Sequence, residues 1–391
     1  MKNNFYEIIE LSLSDYPLDV TGVRKIIFYN SIESTGTVVE MYYNDISSLV
    51  DTLPIMGGET LKINIVDQYQ NEIDLEFVLT DFSHIYQKDG LHSVVKFKAI
   101  EKKSLLLSTE RINKYWEQTT ISTIIEEIDD TIEIEQTSNK QIVDILIPGW
   151  SKTKTISYLS NIAFSDTYGS YYLFFQTIEG KMLFIPINKM FDINEVNAYQ
   201  LNNRNPYYRY NIHEMDVTRN VDVISNMYDN VFEKEYVTYI PDMKTTITKN
   251  INLTDTMNDV IDLESGSIIG NDLEQLSQNI KTHEAIPFYD PLSIEPQTKN
   301  QIQYNIFQKE IEVLLNGDFG VKVGDVLFLD LKDIRQHTEQ NKIRAGCWAI
   351  KNIAYHISDG DFKIKARLVR ESIYESEKDY PGKILNVSIS N

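Results

Sequence analysis

One pattern of strands and turns occurs twice in this chain, once near each end, and a chain that carries a pattern twice is expected to fold it twice. With Gly58 aligned on Gly324, Glu59 meets Asp325, Leu61 meets Leu327, Ile63 meets Leu329, Ile65 meets Leu331 and Asp67 meets Asp333. In each copy a glycine–acid turn leads into a run with the alternation of a half-buried strand. Further on, each copy holds a strand ending in His-Ile, His84-Ile85 or His356-Ile357, and then an Asp-Gly turn, Asp89-Gly90 or Asp359-Gly360. A charged alternating strand follows, with Val95, Phe97 and Ala99 in one copy and Ile364, Ala366 and Leu368 in the other. Any one of these elements is common in antiparallel β-proteins; four in the same order point to a duplicated β-barrel. Its expected structural turns are Gly58, Asp89, Gly90, Gly324, Asp359 and Gly360.

Between the copies the pattern changes. Ile121, Ile124, Ile125 and Ile128 form one helical stripe, with Thr119 or Thr120 placed to cap it. A second helix follows Pro148-Gly149-Trp150, capped by Ser151 or Thr153, with Ile156, Leu159, Ile162 and Ala163 on its apolar side. Tyr171 to Phe175 and Met182 to Ile185 then read as a hairpin across Glu179-Gly180. The 391 residues are enough for several cores. The organisation read from them is β-rich α+β: a first barrel over 1–103, an α+β domain over 104–203, and a second barrel over 204–239 with 301–374. An acidic, proline-containing insertion associated with the middle domain occupies 240–300, and a polar tail occupies 375–391. The insertion holds four prolines and ten acids against four bases, the composition of an exposed excursion.

The formal charge is −21, which argues against a nucleic-acid groove or an anionic membrane surface as principal partner, since both require clustered Lys and Arg. No apolar run is long enough for a membrane-spanning helix. The lone Cys347 excludes an internal disulfide and a cysteine zinc site. The acids Glu126, Glu127, Asp129 and Asp130 are expected on the solvated side of a helix, and Asp255, Asp259, Asp262 and Glu264 lack the spacing of a calcium loop. His283-Glu284 has no second His at protease spacing, Gly57-Gly58 precedes a strand and lacks a P-loop lysine, and Cys347 beside Trp348 reads as a small core residue. Tyr207, Tyr208 and Tyr210 with Arg204 and Arg209 read as a strand edge or protein interface. The chain is thus expected to have no catalytic residue, cofactor or metal, and to be structural. The competing expectation is an acidic cell-wall hydrolase or carbohydrate-binding virion module, which needs a cleft with two facing carboxylates.

Taken with the domain order, the two barrel signatures, the Ile147-Pro148-Gly149-Trp150-Ser151 helix entry, the Tyr158-Leu159-Ser160-Asn161 helix and the Tyr171-Tyr172-Leu173-Phe174-Phe175 hairpin make the chain resemble the baseplate hub proteins of contractile-tailed bacteriophages of the T-even type. The resemblance implies a homotrimer whose duplicated tube domains form a pseudo-hexameric ring, joining the six-fold tail tube to the three-fold cell-puncturing spike. It implies a spike protein, a tail tube protein and other baseplate proteins as partners, and a place in the virion tail baseplate after assembly in the host cytoplasm. DNA would pass through the channel without sequence-specific binding, and an acidic channel wall is expected to keep it from sticking. A third expectation, which the sequence does not separate from a phage hub, is the equivalent hub of a related contractile injection system.

Overall fold

The computed structural model describes residues 5–45, 55–86, 93–192, 194–219, 233–240, 245–252, 283–286, 309–331, 345–358, 360–370 and 383–385. Strands dominate. The N-terminal unit is built from β1 (Tyr6–Leu13), β2 (Tyr16–Pro17), β3 (Val23–Ser31), β4 (Val38–Asp45), β5 (Thr60–Asp67), β6 (Glu72–Tyr86) and β7 (Ser93–Glu101). They lie in the order β2-β1-β5-β6-β7-β4-β3, every pair antiparallel. The alternation seen in the sequence decides which face is covered. Leu61, Ile63 and Ile65 are buried, as are Val95, Phe97 and Ala99, while the residues between them point away from the core.

The middle of the chain supplies α1 (Lys102–Thr109), β8 (Arg111–Thr120), α2 (Ile121–Ile128), β9 (Ile132–Ile134), β10 (Ile142–Ser151), α3 (Lys152–Ile162), the short pair β11 (Phe164–Ser165) and β12 (Gly169–Ser170), then β13 (Tyr172–Gln176) and β14 (Met182–Pro186). Thr120 caps α2 by accepting from Thr123 N–H, and Ser151 caps α3 by accepting from Lys154 N–H. The isoleucine stripe of α2 is fully inward and joins Trp116, Ile147, Leu159, Tyr172 and Phe184 in a small separate core. The sheet β13-β14-β9 is a shared wall. Tyr172, Phe174 and Phe184 face this small core, whereas Tyr171, Leu173 and Phe175 face the large one.

The C-terminal half contributes β15 (Glu195–Leu201), β16 (Asn211–Arg219), β17 (Glu233–Ile240), β18 (Thr245–Asn252), β19 (His283–Ile286), β20 (Lys309–Asn316), β21 (Val326–Asp330), β22 (Gly346–Ser358), β23 (Asp361–Arg370) and β24 (Lys383–Leu385). Six of them close a ring: β15 to β16 to β20 to β23 to β22 to β21 and back to β15. Strand for strand, β16, β20, β21, β22 and β23 repeat β3, β4, β5, β6 and β7, in the same chain order and the same neighbour relations. The first copy differs at its seam. There β1 runs antiparallel to β5, whereas β15 is parallel to β21, and no hydrogen bonds join β1 to β3 among the described residues.

Two boundaries read from the sequence shift. The division at 203/204 assigns β15 to the middle domain, but its backbone bonds go to β16 and β21, so it closes the second barrel. Val196, Ala198 and Tyr199 are all buried there, because a strand covered on both faces does not alternate. The segment assigned to the second barrel up to 239 loses its last strand. β17 pairs instead with β18 and β19 in a separate three-stranded sheet. β24, within the segment read as a polar tail, lies parallel to β15, with Ile384 against the large core.

Candidate functional site

The glycine–acid turns are equivalent down to their hydrogen bonds. Gly58 N–H donates to the Leu79 carbonyl at 2.8 Å and Leu79 N–H donates to the Glu59 carbonyl at 2.8 Å. In the second copy Gly324 N–H donates to Ile350 at 2.9 Å and Ile350 N–H donates to Asp325 at 2.8 Å. Both glycines have φ near +90°, at +92° and +90°, where a Cβ is strained. Their acids sit in different surroundings. Burial pushes the Glu59 carboxyl up, but N–H groups of Met56, Glu59 and Gly57 outweigh it and hold the group low. Burial pushes Asp325 up to about 6, partly opposed by the Lys322 N–H and charge and reinforced by Glu179 and Asp318. Gly360 also has positive φ, at +82°; Asp89, Gly90 and Asp359 lie outside the described residues.

Just beyond each turn stands a β-bulge, between Leu79 and Asp81 in β6 and between Ile350 and Asn352 in β22. Counting from the bulge, Ala99, Phe97 and Val95 match Leu368, Ala366 and Ile364, as the repeat in the sequence implies. The histidines do not match. His84 lies opposite Val95 and Tyr355 lies opposite Ile364, so Tyr355 is the partner of His84, while His356 faces Lys363 on the other side of the sheet. Both copies carry the same bulge, so the two His-Ile pairs are alike in sequence and one place apart in register.

The two copies are joined into one sheet. β3 pairs antiparallel with β22 over seven positions, from Lys25 opposite Ser358 to Ser31 opposite Asn352. Ile26, Phe28, Ile353, Tyr355 and Ile357 are buried across this junction. Ser31 Oγ donates to Asn352 Oδ1 at 2.7 Å, and Lys351 bridges Glu33 at 3.2 Å and Glu310 at 3.3 Å.

A polar clamp holds the copies a second time. Asp67 accepts from Phe319 N–H at 2.8 Å, and Asn71 donates to Asp318 at 3.0 Å. Arg209 Nε reaches Asp318 at 2.6 Å, with its guanidinium 4.2 Å from the Tyr69 ring centre. The tyrosine cluster expected at an interface is placed at this joint. Tyr210 is packed against the large core, and Tyr207 is stacked on Phe5 at 5.8 Å. Between the copies lies the tip of the β13–β14 hairpin. Gln176 is fully buried, its Oε1 accepting from Thr37 N–H at 3.0 Å while Asn30 donates to its carbonyl at 3.0 Å. Glu179 reaches across to Lys322 at 2.5 Å.

A groove of about 550 Å³ runs beside this tip between the middle domain and the second barrel, lined by Glu133, Glu179, Lys189, Asp192, Lys322 and Asp325 among others. The acids of α2 stand apart from it. Glu126 and Glu127 are exposed, and Glu127 accepts from Lys114 at 2.5 Å and from Trp116 Nε1 at 2.8 Å. Cys347 is half-buried. Among the described residues no three His, Cys, Asp or Glu side chains converge as a metal set; Asp255, Asp259, Asp262 and Glu264 lie outside those residues. What the sequence reading missed are the buried Asp67–Asp318 clamp and the Gln176 wedge. The one signal for the former is the turn-rich run Asn316-Gly317-Asp318-Phe319-Gly320.

No protein-family model matches the chain, and no curated protein matches it. Among solved structures it is similar to the tail protein from Neisseria meningitidis MC58, with a TM-score of 0.60 at 9% identity over 94% of this chain and 98% of that one. It is similar as well to the 43 kDa tail protein of prophage MuSo2 from Shewanella oneidensis, with a TM-score of 0.57 at 12% identity over 94% of this chain and all of that one. The chain therefore has the fold of tail proteins, one of them prophage-encoded.

Proposed function

We propose that this chain is a structural subunit of a contractile-tail baseplate, the central hub, and that it acts as a homotrimer. Three copies of a chain with two equivalent units supply six similar positions, which lets one ring meet a six-fold tail tube on one side and a three-fold spike on the other. The observation that carries this reading is the duplication itself: two units that share five strands in matching order, with matching glycine turns and matching bulges, set side by side in one sheet. The likeness in fold to tail proteins supports it. In this reading the tube units are the β1–β7 unit and the β15–β16 with β20–β23 barrel, and the middle domain with the insertion sheet faces the spike and other baseplate proteins. The role is geometric, with no bond made or broken, and its place is the virion tail, after assembly in the host cytoplasm. Native mass measurement with negative-stain imaging tests it. The expected result is a species of three times the 45.4 kDa chain mass, seen as a ring with a central channel. A monomer without rings, even with a tube or spike partner present, would sink it.

A further inference from the structure

The groove between the middle domain and the second barrel is lined by charges that the fold answers unevenly. Its three lysines are all engaged. Lys322 reaches Glu179 at 2.5 Å, and Lys181 lies 3.7 Å from the same carboxylate. Lys189 donates to Tyr168 Oη at 3.1 Å and stands 3.8 Å from Asp192. Among the acids, Glu195 is taken by Lys383 at 3.2 Å. Two charged groups of the lining are left, Glu133 of β9 and Asp325 of the second glycine turn, and neither has an ion-pair partner among the described residues. One lies on the middle domain and the other on the barrel, across the groove from one another.

Comparison of the two copies shows what is unusual about Asp325. In the first copy both oxygens of Glu59 are used, Oε1 accepting from Met56 N–H at 2.7 Å and Oε2 from Gly57 N–H at 2.9 Å. Asp325 accepts only one bond, from Lys322 N–H to Oδ2 at 2.8 Å, and its Oδ1 has no hydrogen-bond partner among the described residues. The Lys322 ammonium, the nearest cation able to answer it, is held on Glu179 instead. A second polar group on the same groove wall is orphaned. Thr177 is 5% exposed, and its Oγ1 has no hydrogen-bond partner among the described residues. Buried polar atoms in a native fold are almost always met, so two unmet ones on one groove point to something that binds there. The surface between the charges is apolar: Leu183 and Ile185, the half-exposed face of β14, line it with Met190 and Val326.

We propose that this groove binds an aliphatic diamine or polyamine, with one ammonium on Asp325, a second on Glu133, and the methylene chain between them on Leu183 and Ile185. Thr177 Oγ1 supplies a further acceptor on the wall. Two cations on an apolar spacer match two free carboxylates across an apolar surface. A lone cation leaves one carboxylate unanswered, and an anion finds no free lysine. Because the two carboxylates belong to different units, the bound amine also fastens the middle domain to the second barrel. The proposal goes beyond the hub reading and does not depend on it.

Isothermal titration of the full chain with spermidine, near neutral pH and at low salt, tests this. Saturable binding at one site per chain is expected. Asp325→Asn keeps the shape of the side chain and an acceptor for Lys322 N–H, and is expected to weaken spermidine at least about tenfold. Glu126→Gln with Glu127→Gln removes two charges from the exposed face of α2 and is expected to leave the affinity unchanged. Putrescine is expected to bind at least about fivefold more tightly than n-butylamine, which has the same chain and one ammonium fewer. Should Asp325→Asn fold poorly, the unmodified chain decides through pH. Burial, with Glu179 and Asp318 adding to it and the Lys322 N–H and charge opposing it, puts the Asp325 carboxyl at about 6. The ammonium needs the ionised form, so affinity falls as pH drops through that value. One unit below it only about a tenth of the groups are ionised, and binding about tenfold weaker is expected. No saturable binding, equal weakening by the α2 pair, n-butylamine matching putrescine, or affinity that is flat with pH would each overturn the proposal.

Discussion

Gly58 and Gly324 make the same turn with the same φ, yet they do not stand in the same space. A Cβ added to Gly58 would meet nothing within 4 Å, whereas at Gly324 it would lie 3.0 Å from Cζ of the buried Phe175. Alanine at either site has to occupy a backbone region almost reserved for glycine, a cost of about 1–3 kcal/mol. Only at Gly324 must the ring of Phe175 also give way, and that ring belongs to the wall between middle domain and barrel. Gly324→Ala is therefore expected to lose about 1 kcal/mol or more beyond Gly58→Ala, measured as the difference in urea midpoints. Equal losses would mean that Phe175 can move freely and that the wall is loosely packed.

At the scale of elements, the β13–β14 hairpin is the piece that fastens three parts together. It supplies Gln176 to Thr37 just before β4 and to Asn30 of β3, Glu179 to the Lys322 turn, and Ile178 to the large core. Gln176→Ala leaves the buried Thr37 N–H without its acceptor, and such an orphan costs about 1–3 kcal/mol. Exposed Gln118 provides the comparison, and Gln118→Ala should change the melting temperature far less. A similar small change for both would show that the tip does not fasten the units. None of this wedge was legible in the sequence, because Gln176 and Thr37 are remote along the chain and no local pattern marks a glutamine whose partner is a distant backbone group. The strands themselves were legible, since Leu61, Ile63 and Ile65 or Ile364, Ala366 and Leu368 alternate with polar neighbours. So were the caps Thr120 and Ser151, which act within three residues. β15 escaped because it is buried on both faces, and the His84–His356 match misled because a shared dipeptide does not fix register: after the same bulge, His84 stands opposite Val95 but His356 stands one place beyond the equivalent Ile364.

For the whole molecule, the question is where the charge of −21 resides. It is not concentrated on the outward face of the joined sheet. Glu40 and Glu312 occupy equivalent places, opposite Lys98 and Arg367 respectively. Lys96 lies 3.0 Å from Glu40, and Lys365 lies 2.6 Å from Glu312. Burial first, and then the charges of Lys25 and Lys365, hold His356 below the usual imidazole range on this same face. Its cations and acids are thus interleaved rather than uniformly acidic. If this face lines the channel of the proposed ring, passing DNA meets a wall of alternating sign, which neither grips nor strongly repels phosphate. The acids then matter as local shields for the lysine rows. Glu40→Gln with Glu312→Gln is expected to turn an assembled ring from one that does not retain short duplex DNA into one that does at low salt, with retention falling steeply as salt rises. A native-gel titration reads this out. Neutralising the α2 acids through Glu126→Gln and Glu127→Gln removes as much charge from a different surface and should leave retention unchanged. An equal gain from the α2 pair would make the effect one of net charge alone and remove the argument for a patterned channel wall.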